Sequence, residues 1–300
     1  MSELFSISET YKARKLAKKR VSLSVSDASP YIYKVYRLIT GNIELTNTFS
    51  KKKYIIQDDI LSRIYNRPGP FYHKIAKYIS DEITSDDLVR ALSNRKMSHK
   101  NIGFYIEIYN EIASMHIAYM EGEFFKSFIH IYRILERISY AFPMIYSRRS
   151  SDFNKTFGLL KSSFDAKDKG ELGFFKKALS VIYDGDDTLE ITFDIDLTEY
   201  EYTCVQEKYY KVYTSNQYFS SIIEPTTDNS KIVIKFPNVG DAIVTTRNKL
   251  VHSLSDRDKL NCSDFIDLDL FLKSTIKPYF QWIGVLFLEI MRDNYEDFDL

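Results

Sequence analysis

A chain of 300 residues, 44% hydrophobic and 27% charged, is long and apolar enough to bury a real core in one large domain or two. Lys and Arg balance Asp and Glu at 41 each, which excludes a generic polyanion binder; two isolated cysteines, Cys204 and Cys262, exclude a disulfide framework and a cysteine-built metal site. The N-terminus lacks the apolar core of a signal peptide, and the longest apolar run, Phe280 to Met291, contains Gln281 and Glu289 and is too short to span a bilayer, so a cytoplasmic protein without membrane contact is expected.

From the N-terminus, Tyr11 to Arg20 places six basic residues in ten, which fits a phosphate-contacting arm or a solvated tail. Tyr31 to Ile39 is rich in β formers and runs through Thr40-Gly41-Asn42 into Ile43-Glu44-Leu45. A small hairpin and a helix both fit its apolar spacing. Asp58 or Asp59 caps a helix over Ile60 to Tyr65, Arg67-Pro68-Gly69-Pro70 breaks it, and Phe71 to Ile79 follows as a short helix. Ser85-Asp86-Asp87-Leu88 begins another, with acids where the helix dipole favours them. Polar Arg95 to Lys100 is the candidate boundary. Residues 1–100 are then a separate mixed α/β module, and residues 101–300 a helical domain.

The second part opens with an amphipathic hairpin, about 102–120 and 123–142, ended by Pro143. Phe153 to Leu160 and Glu171 to Tyr183 read as two more helices, split by the charged turn Asp165 to Gly170. Leu189 to Leu197 then alternates with a period of two, as a half-buried strand does, and Lys231 to Phe236 is a second strand candidate. Tyr200 to Ile223 between them reads as helical. Residues 184–236 are therefore an insertion carrying a small β pair. Its residues 184–201 hold eight acids and no base, a surface that repels polyanions. Near the C-terminus, Ser253 to Asn261 is a polar loop, Ser263 caps a helix through about Ile276, Pro278 kinks or restarts it, and Tyr279 to Met291 is the last long apolar helix before an acidic tail. His73, His99, His116 and His130 lack zinc-type spacing with a second ligand and read as structural. No metal and no cofactor are expected.

The chemistry concentrates in Arg247-Asn248-Lys249-Leu250-Val251-His252. Arginine is always charged and forks onto phosphate oxygens; histidine exchanges protons near neutral pH. These are the parts that cleave RNA without a metal: a base for the ribose 2′-hydroxyl, an acid for the leaving oxygen and a cation for the phosphate between them. The helix is expected to start after Pro237-Asn238, with Asn238 as N-cap. Val239, Ala242, Ile243, Thr246, Leu250 and Leu254 form its core stripe. At about 100° per residue, Asn248 and His252 lie within roughly 40° of each other and face away from that stripe, and Arg247 flanks it. Val244 and Val251 share the outer side, which calls for a second cover from another helix or another subunit.

Arg247-Asn248-x-x-x-His252 resembles the signature of the HEPN superfamily of helical ribonucleases, which occur in toxin–antitoxin, abortive-infection and CRISPR-associated systems. The run from Ile112 through the Gly122 turn to Leu135-Glu136-Arg137 is similar to the first helical hairpin of many HEPN domains. The two matches span about residues 105–296. The resemblance implies a helical bundle, usually a homodimer, in which Arg247 and His252 of both subunits line one metal-free cleft; with the small β insertion and the separate N-terminal module read above, the fold class expected is mainly α, a HEPN-like helical bundle. The resemblance also implies Glu136 as a polar partner that orients Arg247 or His252. Some members carry a Tyr two residues after the His, which an antitoxin nucleotidylates; Leu254 stands there in this chain, which puts that control in doubt. The function implied is a metal-independent endoribonuclease, a toxin or phage-defence effector with an RNA substrate and an antitoxin or sensor partner. The alternative is a non-catalytic helical scaffold for dimerisation or partner docking. Nucleotide binding by the N-terminal module is disfavoured by the lack of a Gly-rich phosphate loop.

Overall fold

The computed structural model describes residues 4–10, 24–57, 101–164, 170–185, 187–226, 229–251 and 266–296. The predicted basic arm at 11–20, the helices between 58 and 94, the boundary at 95–100 and the loop and cap at 253–263 lie outside the described residues. The described residues are mainly helical, with two small antiparallel sheets. They divide into two units, Met1–Glu121 with Gly284–Leu300, and Gly122–Ile283. Among the described residues no helix is long and apolar enough to cross a membrane.

The first unit holds β1 (Phe5–Glu9), α1 (Tyr31–Thr40), β2 (Ile43–Asn47), β3 (Lys53–Ile56) and α2 (Ile102–Met120). The strands form one sheet in the order β1-β2-β3, with Ile7 opposite Leu45 and Leu45 opposite Tyr54. Phe5, Ile7, Ile43, Leu45, Tyr54 and Ile56 are buried, so the two-residue period puts one face of the sheet into the core. Tyr31 to Thr40 is helix. Pro30 precedes it and Gly41 follows at φ +70°, and the buried residues Ile32, Val35, Leu38 and Ile39 recur at helical spacing. The buried Glu9 accepts the amide of Val25 at 3.1 Å and lies 3.3 Å from Arg37 Nη2. On α2, His116 Nε2 is 3.2 Å from the Leu38 carbonyl, which tethers α1 to α2 and gives this histidine the structural part expected of it.

The second unit begins at the turn containing Gly122 (φ +78°). It holds α3 (Phe124–Arg149), α4 (Phe153–Phe164), α5 (Gly170–Ile182), a 3-10 turn (Asp187–Glu190), β4 (Thr192–Asp196), α6 (Thr203–Ser215), α7 (Gln217–Ser220), β5 (Ile223–Glu224), β6 (Lys231–Lys235) and α8 (Phe236–Val251). The last helix, α9 (Leu268–Glu296), contributes its residues up to Ile283. The expected β pair is present in register, Phe193 opposite Ile234 and Ile195 opposite Ile232, and β5 joins as a third, short strand on the other edge of β6. Those four residues are buried, while Asp194 and Glu190 pair with Lys231 and Lys235.

Two prolines behave differently from expectation. Pro143 does not end α3, which continues to Arg149, and α9 is continuous through Pro278. A proline inside a helix removes one amide donor and costs about 3 kcal/mol. Here Phe142, Pro143 and Ile145 are buried together, as are Ile276, Pro278 and Tyr279, and packing of a continuous apolar face offsets the loss.

Candidate functional site

Helix α8 carries the Arg247–His252 segment, and its start differs from the expected one. It begins at Phe236, directly out of β6, with no loop between. The Phe236 amide donates to Ile191 O at 2.7 Å, and its carbonyl accepts the indole N–H of Trp282 at 3.0 Å. Pro237 falls in the first turn, where a missing N–H leaves no bond unmade. Asn238 is not the cap: its side-chain amide donates to Ile222 O at 3.3 Å and ties the helix to the turn before β5.

The helix is fixed by what lies under it. Val239, Ala242, Ile243 and Thr246 are fully buried, as the spacing predicts, and Leu250 is half-buried. Gly240 meets the buried Trp282 ring, where an added Cβ would stand 3.3 Å from Cη2. Trp282 packs edge-on against Phe175 and tilted against Phe236, and Phe175 in turn meets Phe142 of α3. A shallow apolar cleft runs along this flank, lined by Leu135, Leu179, Val244 and Trp282, with the exposed Lys176–Asp241 ion pair at its edge. Val244 is half-buried and faces this cleft beside residues of other helices of the same chain.

The Thr246 hydroxyl donates to Ala242 O at 2.7 Å. Beside it lies the buried hydroxyl of Tyr279, whose pKa burial pushes up to about 12, with the hydroxyls of Thr246 and Tyr213 acting the other way. Burial raises Tyr213 as well.

Arg247 is half-buried on the flank of the core stripe. Its guanidinium sits 4.9 Å from the ring centroid of Tyr132 on α3, and Nη1 donates to Asn248 Oδ1 at 3.0 Å. Asn248 is exposed. The structure therefore brings Arg247 and Asn248 together at the surface. His252 is the residue after the last described turn and lies outside the described residues, as does Leu254. Glu136 is half-buried one turn beyond Tyr132 on α3, and its main-chain carbonyl accepts from the Ser139 hydroxyl at 2.6 Å. Among the described residues no hydrogen bond or ion pair joins its carboxylate to Arg247.

Sequence reasoning did not single out Lys249. It is 7% exposed, and its ammonium sits 4.3 Å from the Tyr218 ring centroid on the opposite flank of α8 from Arg247. At about 100° per residue these two cations fall on either side of the core stripe, each over a tyrosine. The helical wheel gives their angular positions; the tyrosines come from α3 and α7, elements distant in sequence. Among the described residues no three His, Cys, Asp or Glu side chains gather as metal ligands. No family model, no curated protein and no solved structure matches the chain.

Proposed function

We propose that the chain is an endoribonuclease of HEPN type, which cleaves RNA by attack of the ribose 2′-hydroxyl, without a metal, in a composite site built by two subunits. One observation supports this reading: Arg247 and Asn248 meet at the surface near the end of α8, with the guanidinium seated on Tyr132, in the same short run of chain as His252.

In this mechanism His252 of one subunit takes the 2′-hydroxyl proton. The 2′-oxygen bonds to phosphorus, the bond from phosphorus to the 5′-oxygen breaks, and His252 of the other subunit protonates that oxygen. Arg247 stabilises the charge gathered on the phosphate oxygens, and Asn248 holds the guanidinium in orientation. Glu136 is the carboxylate assigned to steady the pair. Products end in a 2′,3′-cyclic phosphate and a 5′-hydroxyl. One histidine per subunit is the chemical reason for a homodimer. The biological setting proposed is a cytoplasmic toxin or phage-defence effector with an antitoxin or sensor partner.

Total RNA incubated with the wild-type chain in EDTA is expected to yield cyclic-phosphate ends, and His252→Ala and Arg247→Ala chains are expected to yield none. Equal cleavage by all three, or none by the wild type, overturns the reading. A second reading, a non-catalytic scaffold, draws on the same contacts: Arg247 is already engaged by Tyr132 and Asn248 within its own chain. It predicts normal expression and partner binding for His252→Ala, with no relief of toxicity.

A further inference from the structure

Two consecutive helices of the second unit carry the same exposed row. On α3, Tyr140, Met144 and Arg148 stand four residues apart; on α4, Phe153, Phe157 and Lys161 do so again. Four residues of helix advance about 40° around and about 6 Å along the axis. Each row is thus two apolar side chains and then a cation along one side of its helix. Tyr140 is 54% exposed, Met144 64%, Phe153 87% and Phe157 67%, and Arg148 and Lys161 are exposed as well. The rows are joined by Ser150–Asp152, where Asp152 Oδ1 accepts the Lys155 amide at 2.9 Å in the first turn of α4. Residues 144–164 hold four bases, Arg148, Arg149, Lys155 and Lys161, against one acid, Asp152, in a chain of zero net charge.

Exposed large apolar side chains at regular spacing mark a surface that something covers. The cations decide the chemistry of the cover. A wholly apolar partner would bury the phenylalanines and strip water from the exposed Lys161 ammonium at the end of their row. A single-stranded nucleic acid satisfies both kinds of group, because its bases stack on aromatic faces and its phosphates meet the cations. The acidic segment 184–201 of a second copy would also meet the cations, but that contact joins unlike surfaces and propagates from copy to copy unless a ring closes.

We infer that the α3–α4 corner is a stacking platform for single-stranded RNA, with Phe153 and Phe157 as its base-stacking faces and Lys161 as a phosphate contact. The inference rests on the ribonuclease reading and adds to it a substrate-holding surface apart from the Arg247–His252 segment.

The test is fluorescence anisotropy of labelled oligouridylate and oligoadenylate, in EDTA, with the full-length His252→Ala chain as parent. Replacing both Phe153 and Phe157 by Ala is expected to weaken binding at least tenfold, since each stacked base is worth about fivefold or more. Replacing both by Leu keeps apolar area but removes the stacking face, and a similar loss is expected. Lys161→Ala is expected to flatten the salt dependence of binding by about 0.7 in log–log slope. All three variants should keep the parent's circular dichroism and melting temperature, because the altered side chains are exposed. Binding by the Ala pair within twofold of the parent overturns the inference. So does parent-like RNA binding by the Leu pair combined with loss of self-association in the Ala pair by sedimentation, which would mark a protein-docking face. The two readings fail separately. Platform-dependent binding with no cleavage by the wild type removes the nuclease alone, and cleavage by the wild type with unchanged binding by the Ala pair removes the platform alone.

Discussion

Arg247 owes its place to a ring. A guanidinium 4.9 Å above the Tyr132 centroid gains about 0.5–2 kcal/mol from the quadrupole, and its Nη1 donates to Asn248 Oδ1. Tyr132 is therefore a positioning residue in the ribonuclease reading. Tyr132→Leu is expected to lower kcat/KM for RNA cleavage by about 2- to 30-fold, and Tyr132→Phe, which keeps the ring, is expected to stay within twofold. A Leu variant as active as the wild type would show that the ring holds nothing of consequence. Lys249 repeats the arrangement on Tyr218, but at 7% exposure its hydrocarbon stem is buried with the rest of the helix's inner side.

Helix α8 is positioned from its N-terminal half. Phe236 is bonded at both amide and carbonyl, to Ile191 and to Trp282, and Gly240 lets the helix approach the indole. A side chain at residue 240 larger than a methyl group has no room there. Gly240→Val is expected to destabilise the fold by about 1–3 kcal/mol, read as a lower denaturant midpoint with an unchanged slope. An unchanged midpoint would mean that Trp282 yields freely. The same replacement is expected to lower RNA cleavage at temperatures where the protein stays folded, because it shifts the helix that carries Arg247.

At the scale of the whole molecule, tyrosine hydroxyls stand among the buried polar groups of the second unit. Burial raises the pKa of Tyr200, Tyr213 and Tyr279, the last to about 12. An unfolded tyrosine ionises near 10. With folded values above that, the native state holds protons that the unfolded chain gives up. Stability is full below about pH 10 and falls as pH rises toward about 12. Thermal melts are expected to shift downward across that window, less steeply in Tyr279→Phe, with the share of tyrosinate absorbance that belongs to the buried tyrosines rising only as the fold is lost. Titration of all the tyrosines near pH 10 in a still-folded protein would contradict this.

Periodicity by itself determined several of the elements. The alternation in Leu189 to Leu197 and Lys231 to Phe236 gave paired strands, and the wheel over Val239, Ala242, Ile243 and Thr246 gave the buried face of α8. Side-chain spacing is local, so it is legible in the chain. Where an element stops is a balance between local preference and distant packing. The apolar faces around Pro143 and Pro278 carried the helices past both prolines, and Trp282 and Ile191 fixed the start of α8 at Phe236 where capping preference pointed to Asn238. Tyr31 to Ile39, rich in β formers, became a helix because its apolar residues pack at helical spacing between Pro30 and Gly41. The tyrosines beneath Arg247 and Lys249 could come only from tertiary structure: a ring brought from α3 or α7 leaves no mark on the sequence of α8, and it is the ring that decides where each cation rests.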